Sequence, residues 1–231
     1  ATKAGVLQSG VNSNTFNYHL IAGADYSAAN ITETVAGTGD FTLANNKLIR
    51  TGEGNISIAA GKNMTLGGVS SLIYTIGRQA DDLAGFTKPA SSTPVATATA
   101  STTNGYTTAS YVNNGGDISV DVQGNITGAA TTQSVNQWLL RQGGNGADTS
   151  WWVRPDLFQQ GIAALGGGNV AIQAGGNITN VSASSATNAQ FVKTTDAQGN
   201  QDFHSLVNGG GDVSVIAAGN LVNGVYYAGR G

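Results

Sequence analysis

The chain has no cysteine and little charge, and these two absences exclude several classes of protein. Without Cys, its 231 residues can form neither disulfides nor thiolate metal sites. Charged residues make up 10% of the chain, whereas they make up roughly 25% of an ordinary soluble domain. The 10 Lys and Arg residues form no cluster, so the basic patch that binds nucleic acid or an anionic membrane is missing. We expect no nucleic-acid partner.

Long apolar runs and a signal-peptide pattern are also missing. No run approaches the roughly 18 apolar residues of a membrane-spanning helix, and the first residues lack the basic start and apolar stretch of a secretion signal. The chain is therefore either cytosolic or a mature piece of an exported protein. What it has instead is 34 glycines and many Asn, Ser and Thr residues, a composition more typical of bacterial surface proteins than of enzymes.

One short pattern occurs four times without gaps, each time after a glycine. It is [ND]-[IV]-[SA]-[IV]-x-[AV]-x-x-N-[ILM], and residues 166–179, GGGNVAIQAGGNIT, contain one copy. The copies begin at Asn55, Asp117, Asn169 and Asp212. A weaker relative begins at Asp40. Internal repetition of this kind is the signature of architectures built from stacked units.

Each copy predicts a β-strand with one buried face, followed by a corner. Alternating β-branched residues give the buried face, the third inward residue is small, and Gly and Asn supply left-handed backbone conformations at the corner. The predicted core residues are Ile56, Ile58, Ile118, Val120, Val170, Ile172, Val213 and Val215. The predicted corner asparagines are Asn63, Asn125, Asn177 and Asn220.

A unit this short buries its apolar face only by stacking on copies of itself. Equivalent corner asparagines are then expected to form hydrogen bonds along the stack, and low charge avoids repulsion between like charges about 4.8 Å apart. We predict an all-β fold, a β-solenoid that forms a single segment over residues 1–231 and comes from a longer protein.

The repeats are unevenly spaced, at intervals of 62, 52 and 43 residues. Because one coil takes roughly 20 residues, we expect two or so coils plus an insertion in each interval. About eight to ten coils at 4.8 Å would give a rod of roughly 40 to 50 Å. The predicted insertions are residues 87–110, 133–165 and 182–190. In the second, Pro155 and Asp156 are expected to open a short helix.

The repeats resemble those of filamentous haemagglutinin-like exoproteins, the large passengers of two-partner secretion in Gram-negative bacteria. The resemblance rests on GGGNVAIQAGGNITN, GGDISVDVQGNITG and GGGDVSVIAAGNLVNG, and on WWVRPDLFQQGIAALGGGNVAIQAGGNI, which is similar to a segment of large adhesins. It covers residues 40–225 in patches. It implies a right-handed parallel β-helix, export through an outer-membrane transporter, a surface-exposed rod and no catalytic motif. The family's secretion-domain signature is missing, so the chain resembles a section of shaft.

The expected function is that of a structural, adhesive shaft segment of a secreted surface protein. Its expected partners are the outer-membrane transporter and ligands on host cells, matrix or neighbouring cells, with no cofactor, no metal and no enzymatic activity. One alternative is a β-helical protein that binds or cleaves glycans. Another is the stalk of a contact-dependent toxin-delivery exoprotein, whose toxin would lie outside these residues.

Several residues are candidates for more specific chemistry. Aromatic side chains that would suit carbohydrate stacking are Trp138, Trp151, Trp152, Tyr226 and Tyr227, although they would equally anchor an insertion to the rod. Residues 143–150 nearly fit a calcium-binding nonapeptide, but a glycine-rich loop is the simpler interpretation.

Carboxylates and histidines give a second set of candidates. Asp202, His204 and Ser205 are the residue types of a catalytic triad, but adjacent strand residues point to opposite faces. Glycan cleavage would need paired carboxylates, and the candidates are Asp81, Asp82, Asp117, Asp121 and Asp212. Since Asp117 and Asp212 replace Asn within the repeat, a corner role is favoured for both.

The two ends of the predicted rod lack a cap. Only ten residues follow Leu221, and residues 1–40 have no capping-helix pattern. A terminal coil without a cap exposes unpaired backbone groups and an apolar face. We therefore expect either a longer native protein or end-to-end self-association into filaments.

Overall fold

The computed structural model describes residues 16–79, 112–144 and 147–229. Nearly all regular structure in these ranges is β, and their one helix is the three-residue 3-10 helix Val135–Gln137. The strands are β1 Tyr18–Ala22, β2 Phe41–Leu43, β3 Leu48–Thr51, β4 Ile56–Ala60, β5 Met64–Leu66, β6 Leu72–Thr75, β7 Arg78–Gln79, β8 Val112–Asn113, β9 Ile118–Val122, β10 Ile126–Thr127, β11 Leu139–Gly144, β12 Ala147–Val153, β13 Ile162–Ala164, β14 Val170–Ala174, β15 Ile178–Thr179, β16 Ala183–Ser185, β17 Thr187–Thr195, β18 Gln201–Gly209, β19 Val213–Ala217, β20 Leu221–Val222 and β21 Tyr226–Ala228.

Three parallel sheets form the body of the molecule. Their strand orders are β1-β4-β9-β14-β19, β2-β5-β10-β15-β20 and β3-β6-β13-β16-β21. We call them the first, second and third sheets. Since consecutive strands along the chain enter the three sheets in turn, one strand from each sheet makes one coil. The predicted β-solenoid is confirmed, with coils 1 to 5 stacked in chain order.

Each interval between repeats is a single coil, so the expectation of two coils per interval is wrong. Ile56 pairs with Ile118, Ile118 with Val170, and Val170 with Val213, in one unbroken row. Five coils at about 4.8 Å make a stack of only about 24 Å. In the second and third intervals the extra length lies in excursions to the side of the stack.

The predicted inward residues form the core. Ile56, Ile58, Val170 and Ile172 are each 1% exposed. Met64, Ile126 and Ile178, which follow the corner, continue this core into the second sheet. Val213 and Val215 of coil 5 face the same way but are only partly buried. They are less buried because no described coil stacks on their outer side.

The weak relative at Asp40 belongs to the second sheet and not to the first. Residues 41–43 form β2 beside β5, while the first-sheet strand of coil 1 is β1, in which Tyr18 pairs with Ile56. Tyr18 and His19 replace the aliphatic and small residues of the pattern, which concealed this fifth copy. Asp40 precedes Phe41 as Asn63 precedes Met64, so it occupies a corner position.

Two antiparallel groups of strands lie outside the coils. One is the four-stranded sheet β11-β12-β17-β18, which we call the flanking sheet, and the other is the pair β7-β8. The flanking sheet is built from two excursions, because β11 and β12 leave coil 3 and β17 and β18 leave coil 4. The predicted insertion 87–110 lies outside the described residues.

The bounds of the other two predicted insertions need correction. The insertion 133–165 ends before Ile162, because β13 belongs to the third sheet. The insertion 182–190 begins too early, since Ala183–Ser185 is also a coil strand and the excursion itself spans β17 and β18. Ala183 and Ser184 are fully buried, so small residues that resemble a loop in sequence here pack tightly between coils.

The predicted helix at Pro155 is a turn. The N–H of Leu157 donates to the carbonyl of Arg154 at 3.0 Å, and that of Phe158 to the carbonyl of Pro155 at 3.3 Å. The turn does not extend, because Phe158 is 1% exposed and packs among the aromatic residues beneath the excursion.

Candidate functional site

A ladder of side-chain hydrogen bonds precedes the strands of the first sheet. In coils 1 to 4 an Asn or Asp Oδ1 accepts the backbone N–H of the equivalent residue in the next coil, over distances of 2.7 to 2.9 Å. Its members are Asn17, Asn55, Asp117, Asn169 and Asp212. Asp117 therefore has the corner role that its place in the repeat favoured, whereas Asp212 takes part in the described ladder only through its backbone N–H.

A second ladder runs along the corner between the first and second sheets. It has the same polarity, since the side-chain oxygen always belongs to the earlier coil, and its distances are 2.7 to 3.2 Å. Its members are Asp40, Asn63, Asn125, Asn177 and Asn220. The prediction that corner asparagines bond along the stack is confirmed, and each of these four bonds is donated by the backbone N–H of the next ladder residue.

Asp40 begins this second ladder and is held in its ionised form. Its Oδ1 accepts both the side-chain amide of Asn63, at 3.1 Å, and the backbone N–H of Asn63, at 3.2 Å. Lys62 lies 3.3 Å from its other oxygen. The bond from the Asn63 amide, followed by the bond and charge of Lys62, lowers the pKa of Asp40.

The backbone conformation at the predicted corners differs from the expectation. Left-handed φ values of 56° and 53° occur at Asn180 and Asn223, which follow the second-sheet strands, and not at the four predicted corner asparagines. At the predicted corners glycine is needed because neighbouring coils approach closely. A Cβ on Gly175 would stand 2.2 Å from the carbonyl oxygen of Gln123. The corner asparagines serve the ladder, while the left-handed turn lies one corner later.

Aromatic residues anchor the coil 3 excursion to the rod. The Trp138 ring meets Phe158 at 5.3 Å and Tyr227 at 6.3 Å, both edge to face. Phe158 in turn meets Tyr74 of the third sheet at 6.0 Å. Trp138 is fully buried. These contacts make a second apolar core on the outer side of the third sheet.

The five candidate contact aromatics therefore do not form one carbohydrate surface. Trp138 and Trp152, at 0% and 3% exposure, are not available to a sugar ring. Tyr227 packs beneath the excursion, whereas Tyr226 lies on the opposite face of β21 at 40% exposure. Of the three tryptophans, only Trp151 is partly exposed.

A glutamine network that sequence reasoning missed fixes the base of this excursion. The Trp138 Nε1–H donates to Gln160 Oε1 at 2.8 Å, and the Gln160 amide donates to the carbonyl of Gln133. Gln133 in turn donates to the Leu157 carbonyl at 2.6 Å and accepts the N–H of Gln159 at 2.8 Å. The partners are more than 20 residues apart, so no local pattern could indicate the network.

The predicted carboxylate candidates are not brought together. Asp117 and Asp212 belong to the first ladder, and Asp121 lies on the exposed outer face of β9. Asp81 and Asp82 lie outside the described residues. Within the described ranges no three His, Asp or Glu side chains are grouped as metal ligands would be.

The triad-like residues all lie on β18. His204 Nδ1 is 3.5 Å from Asp202 Oδ2, because residues two apart share a face of a strand. Ser205 points to the opposite face, as the alternation predicts. Ser205 and the His204–Asp202 pair therefore lie on opposite faces of the strand.

The calcium-like stretch 143–150 lies in the antiparallel hairpin of β11 and β12, where Gly144 pairs with Ala147. Calcium loops of the nonapeptide type form between successive parallel coils, so this position matches the glycine-rich loop interpretation. Residues 145 and 146 lie outside the described part.

Comparison of the chain with protein-family models, with curated proteins and with solved structures gives no match. In the part of the chain that the structure describes, no helix is long and apolar enough to cross a membrane. The resemblance to haemagglutinin-like exoproteins stays a prediction that rests on the repeats themselves.

Proposed function

We propose that the chain is a structural, adhesive shaft segment of a secreted bacterial surface protein. The observation that carries the proposal is that the molecule consists of a regular stack of coils with an additional sheet, the flanking sheet, on one side. In coils 2 to 5 the first and second sheets are joined by short corners, while the flanking sheet leaves the coils beside the third sheet. A scaffold that repeats without interruption can thus present a variable surface on one side.

The rod suits export through an outer-membrane transporter, which is the route we propose. Each coil contacts only its neighbours, so a solenoid can fold progressively as it emerges. No disulfide is needed, because the ladders and the aliphatic core hold the coils together. The localisation we propose is the outer surface of a Gram-negative cell.

The flanking sheet is the proposed contact surface for ligands on host cells, matrix or neighbouring cells. Its outer hairpin, β17 and β18, returns to the coil at its starting point, since the Gly210 N–H donates to the Ala186 carbonyl at 2.8 Å. Residues 187–209 can therefore be removed by joining Ala186 directly to Gly210. The excised variant is designed to keep the five coils and lacks β17 and β18, two of the four strands of the flanking sheet.

Adhesion by the isolated chain tests this proposal. Beads coated with the full 231-residue chain should bind cultured epithelial cells or immobilised matrix proteins, and beads coated with the excised variant should bind far less. Ser119→Ala, on the outer face of the first sheet, is the control and should bind like the parent. Absence of binding by the parent chain would contradict the adhesive role. Binding confined to purified glycans, or glycan turnover, would favour the glycan-specific alternative.

Localisation needs a separate measurement. Antibodies raised against the chain should label intact cells of the native bacterium, because the rod is proposed to be exposed. Labelling that appears only after the cells are lysed would overturn the surface assignment without affecting the adhesion result.

A further inference from the structure

The outer hairpin of the flanking sheet, β17 and β18, is well paired within itself but joined to the next strand over a short distance. Its two strands pair over nine residues without a shift in register. The neighbouring strand β12 pairs with β17 at two positions, Ser150 with Gln190 and Trp151 with Ala189. The hairpin can therefore move as a unit unless further contacts fix it against β12.

One buried side chain supplies such contacts. Asn188 of β17 is 0% exposed. Its Nδ2 donates to the carbonyl of Val112 in β8 at 2.5 Å, and its Oδ1 accepts the N–H of Val153 in β12 at 3.3 Å. Since β8, β12 and β17 belong to the excursions of coils 2, 3 and 4, this one amide joins all three excursions.

The two hydrogen bonds of Asn188 favour a single position of the hairpin. One bond leads to the excursion of coil 2 and the other to that of coil 3, so movement of β17 away from either excursion breaks one of them. Because the amide is buried, a broken bond is not replaced by a bond to water, and displaced positions of the hairpin are disfavoured.

The position of the hairpin determines which side chains face outwards together. Trp151 pairs with Ala189, and Ala189 pairs with Val207. Because residues an even number apart share a face of a strand, Phe203 of β18 lies on the same face as Trp151. Trp151 is partly exposed and Phe203 is 53% exposed, and aromatic residues are common anchors of binding surfaces. One of the two rings comes from coil 3 and the other from coil 4.

We propose that Asn188 is a positioning residue for the contact surface. By fixing the outer hairpin against β12, it sets Phe203 in place relative to Trp151, so that a ligand meets both rings in one arrangement. That this surface contacts a ligand rests on the proposed function, whereas the position of the hairpin is measured without a ligand.

Asn188→Leu tests the proposal, since Leu has a similar volume but its side chain forms no hydrogen bond. Asn208→Leu is the matched control, because Asn208 is the same residue type and pairs directly with Asn188, but lies on β18 on the side away from β12. Circular dichroism checks that each variant keeps its β signal. Asn188→Ala, which removes the amide without adding an apolar side chain of the same size, replaces Asn188→Leu if the latter fails to fold.

Electron paramagnetic resonance measures the position of the hairpin. Nitroxide labels attached through Asp121→Cys, on the outer face of β9, and Gln198→Cys, in the exposed turn between β17 and β18, report the distance from the coils to the end of the hairpin. Labelling is specific because the chain has no cysteine of its own. The distribution of distances should be about twofold broader or more in Asn188→Leu than in the parent, because fewer contacts then hold the hairpin. Asn208→Leu should match the parent.

Adhesion and its rescue give the second readout. Beads coated with unlabelled Asn188→Leu should bind cultured epithelial cells about tenfold less than beads coated with the parent, because only a small fraction of the hairpins is then positioned for binding. A disulfide introduced by Ser150→Cys with Gln190→Cys joins two directly paired residues, whose Cα distance suits such a bond. It should restore adhesion to Asn188→Leu, and reduction of the disulfide should abolish the rescue.

Three results would overturn the proposal: an unchanged distance distribution in Asn188→Leu, full adhesion by Asn188→Leu, or no restoration by the disulfide. A parent chain that binds no cells would contradict the proposed function instead, and the distance measurement would still decide whether Asn188 fixes the hairpin.

Discussion

The side-chain oxygen of Asn125 accepts the backbone N–H of Asn177 at 2.8 Å, while the backbone N–H of Asn125 donates to the side chain of Asn63 at 3.0 Å. One residue therefore links three successive coils at this corner. Only a side-chain oxygen at the δ1 position is required, and Asn and Asp both supply it. This requirement explains why Asp117 can occupy a ladder position.

Removal of the Asn125 side chain should destabilise the protein, whereas exchange for Asp should not. Asn125→Ala leaves the Asn177 N–H without its acceptor and should lower the free energy of unfolding by about 1 kcal/mol, or lower Tm by about 2 to 4 °C for a chain of this size. Asn125→Asp keeps the oxygen and is the control at neutral pH. Thermal and urea unfolding measure both variants. Equal losses would show that the amide acts by some means other than accepting this bond.

Acid should weaken the start of the second ladder. The pKa of Asp40 is lowered from its ordinary value of 3.8, first by the Asn63 amide and then by Lys62. A lowered pKa in the folded state means that the ionised group stabilises the fold above the unfolded value, and that this stabilisation is lost as the pH falls through the folded value. The relevant window therefore lies below about pH 4.

Asp40→Asn keeps an oxygen in place of the carboxylate and cannot titrate. Its melting temperature should fall less steeply than that of the parent between neutral pH and the acid window. Asp121→Asn, which removes a carboxylate from the outer face of β9, controls for net charge. If the melting temperatures of the parent and of Asp40→Asn fell equally with pH across the whole range, the role of Asp40 would be contradicted.

Disruption of the second core, around Trp138, should leave the first core, inside the coils, folded. Trp138 is fully buried between Phe158 and Tyr227, so Trp138→Ala should cost about 3 to 5 kcal/mol of local packing. Because the core of the coils is a different cluster of residues, Trp138→Ala should destabilise the excursion and not the coils. Limited proteolysis should cut within residues 131–160 while circular dichroism keeps the β signal.

Trp138→Phe tells packing apart from hydrogen bonding at the same position. It keeps most of the ring volume but leaves Gln160 Oε1 without its donor, and should cost about 1 to 3 kcal/mol. Loss of the whole β signal in Trp138→Ala would show that the two cores fold as one unit.

The repeat positions of the fold were predictable because their physics is local. Alternation along a strand defines the inward residues, so Ile56 and Ile172 are placed correctly by period alone. The number of coils was not predictable in this way. A spacing of 62 residues between two repeats is compatible with two coils or with one coil and an excursion. Only the pairing of Ile56 with Ile118 distinguishes these two arrangements.

The candidate site was less predictable, because its contacts join distant residues. The sequence leaves open whether Trp138 stacks on a carbohydrate or anchors an insertion. Its burial depends on Phe158 and on Tyr227, which is almost 90 residues away along the chain. Asn17 and Asp40 could have been found as ladder members only by relaxing the repeat pattern to its alternation. The coil strand Ala183–Ser185 resembles a loop in composition, because close packing between coils favours the same small residues.

Position along the stack should determine how much a core residue contributes to stability. Val120 and Val215 occupy the same inward row, joined through Ile172, and the substitution to Ala removes the same two methyl groups from each. Val120 is 2% exposed in coil 3, while Val215 in coil 5 is only partly buried. In dilute solution Val120→Ala should lower the free energy of unfolding by about 2 kcal/mol, and Val215→Ala by less than about half of that, because much of the Val215 surface already contacts water. Urea unfolding of the two variants measures the difference. Equal costs would show that the partial exposure of Val215 does not reduce its contribution to stability.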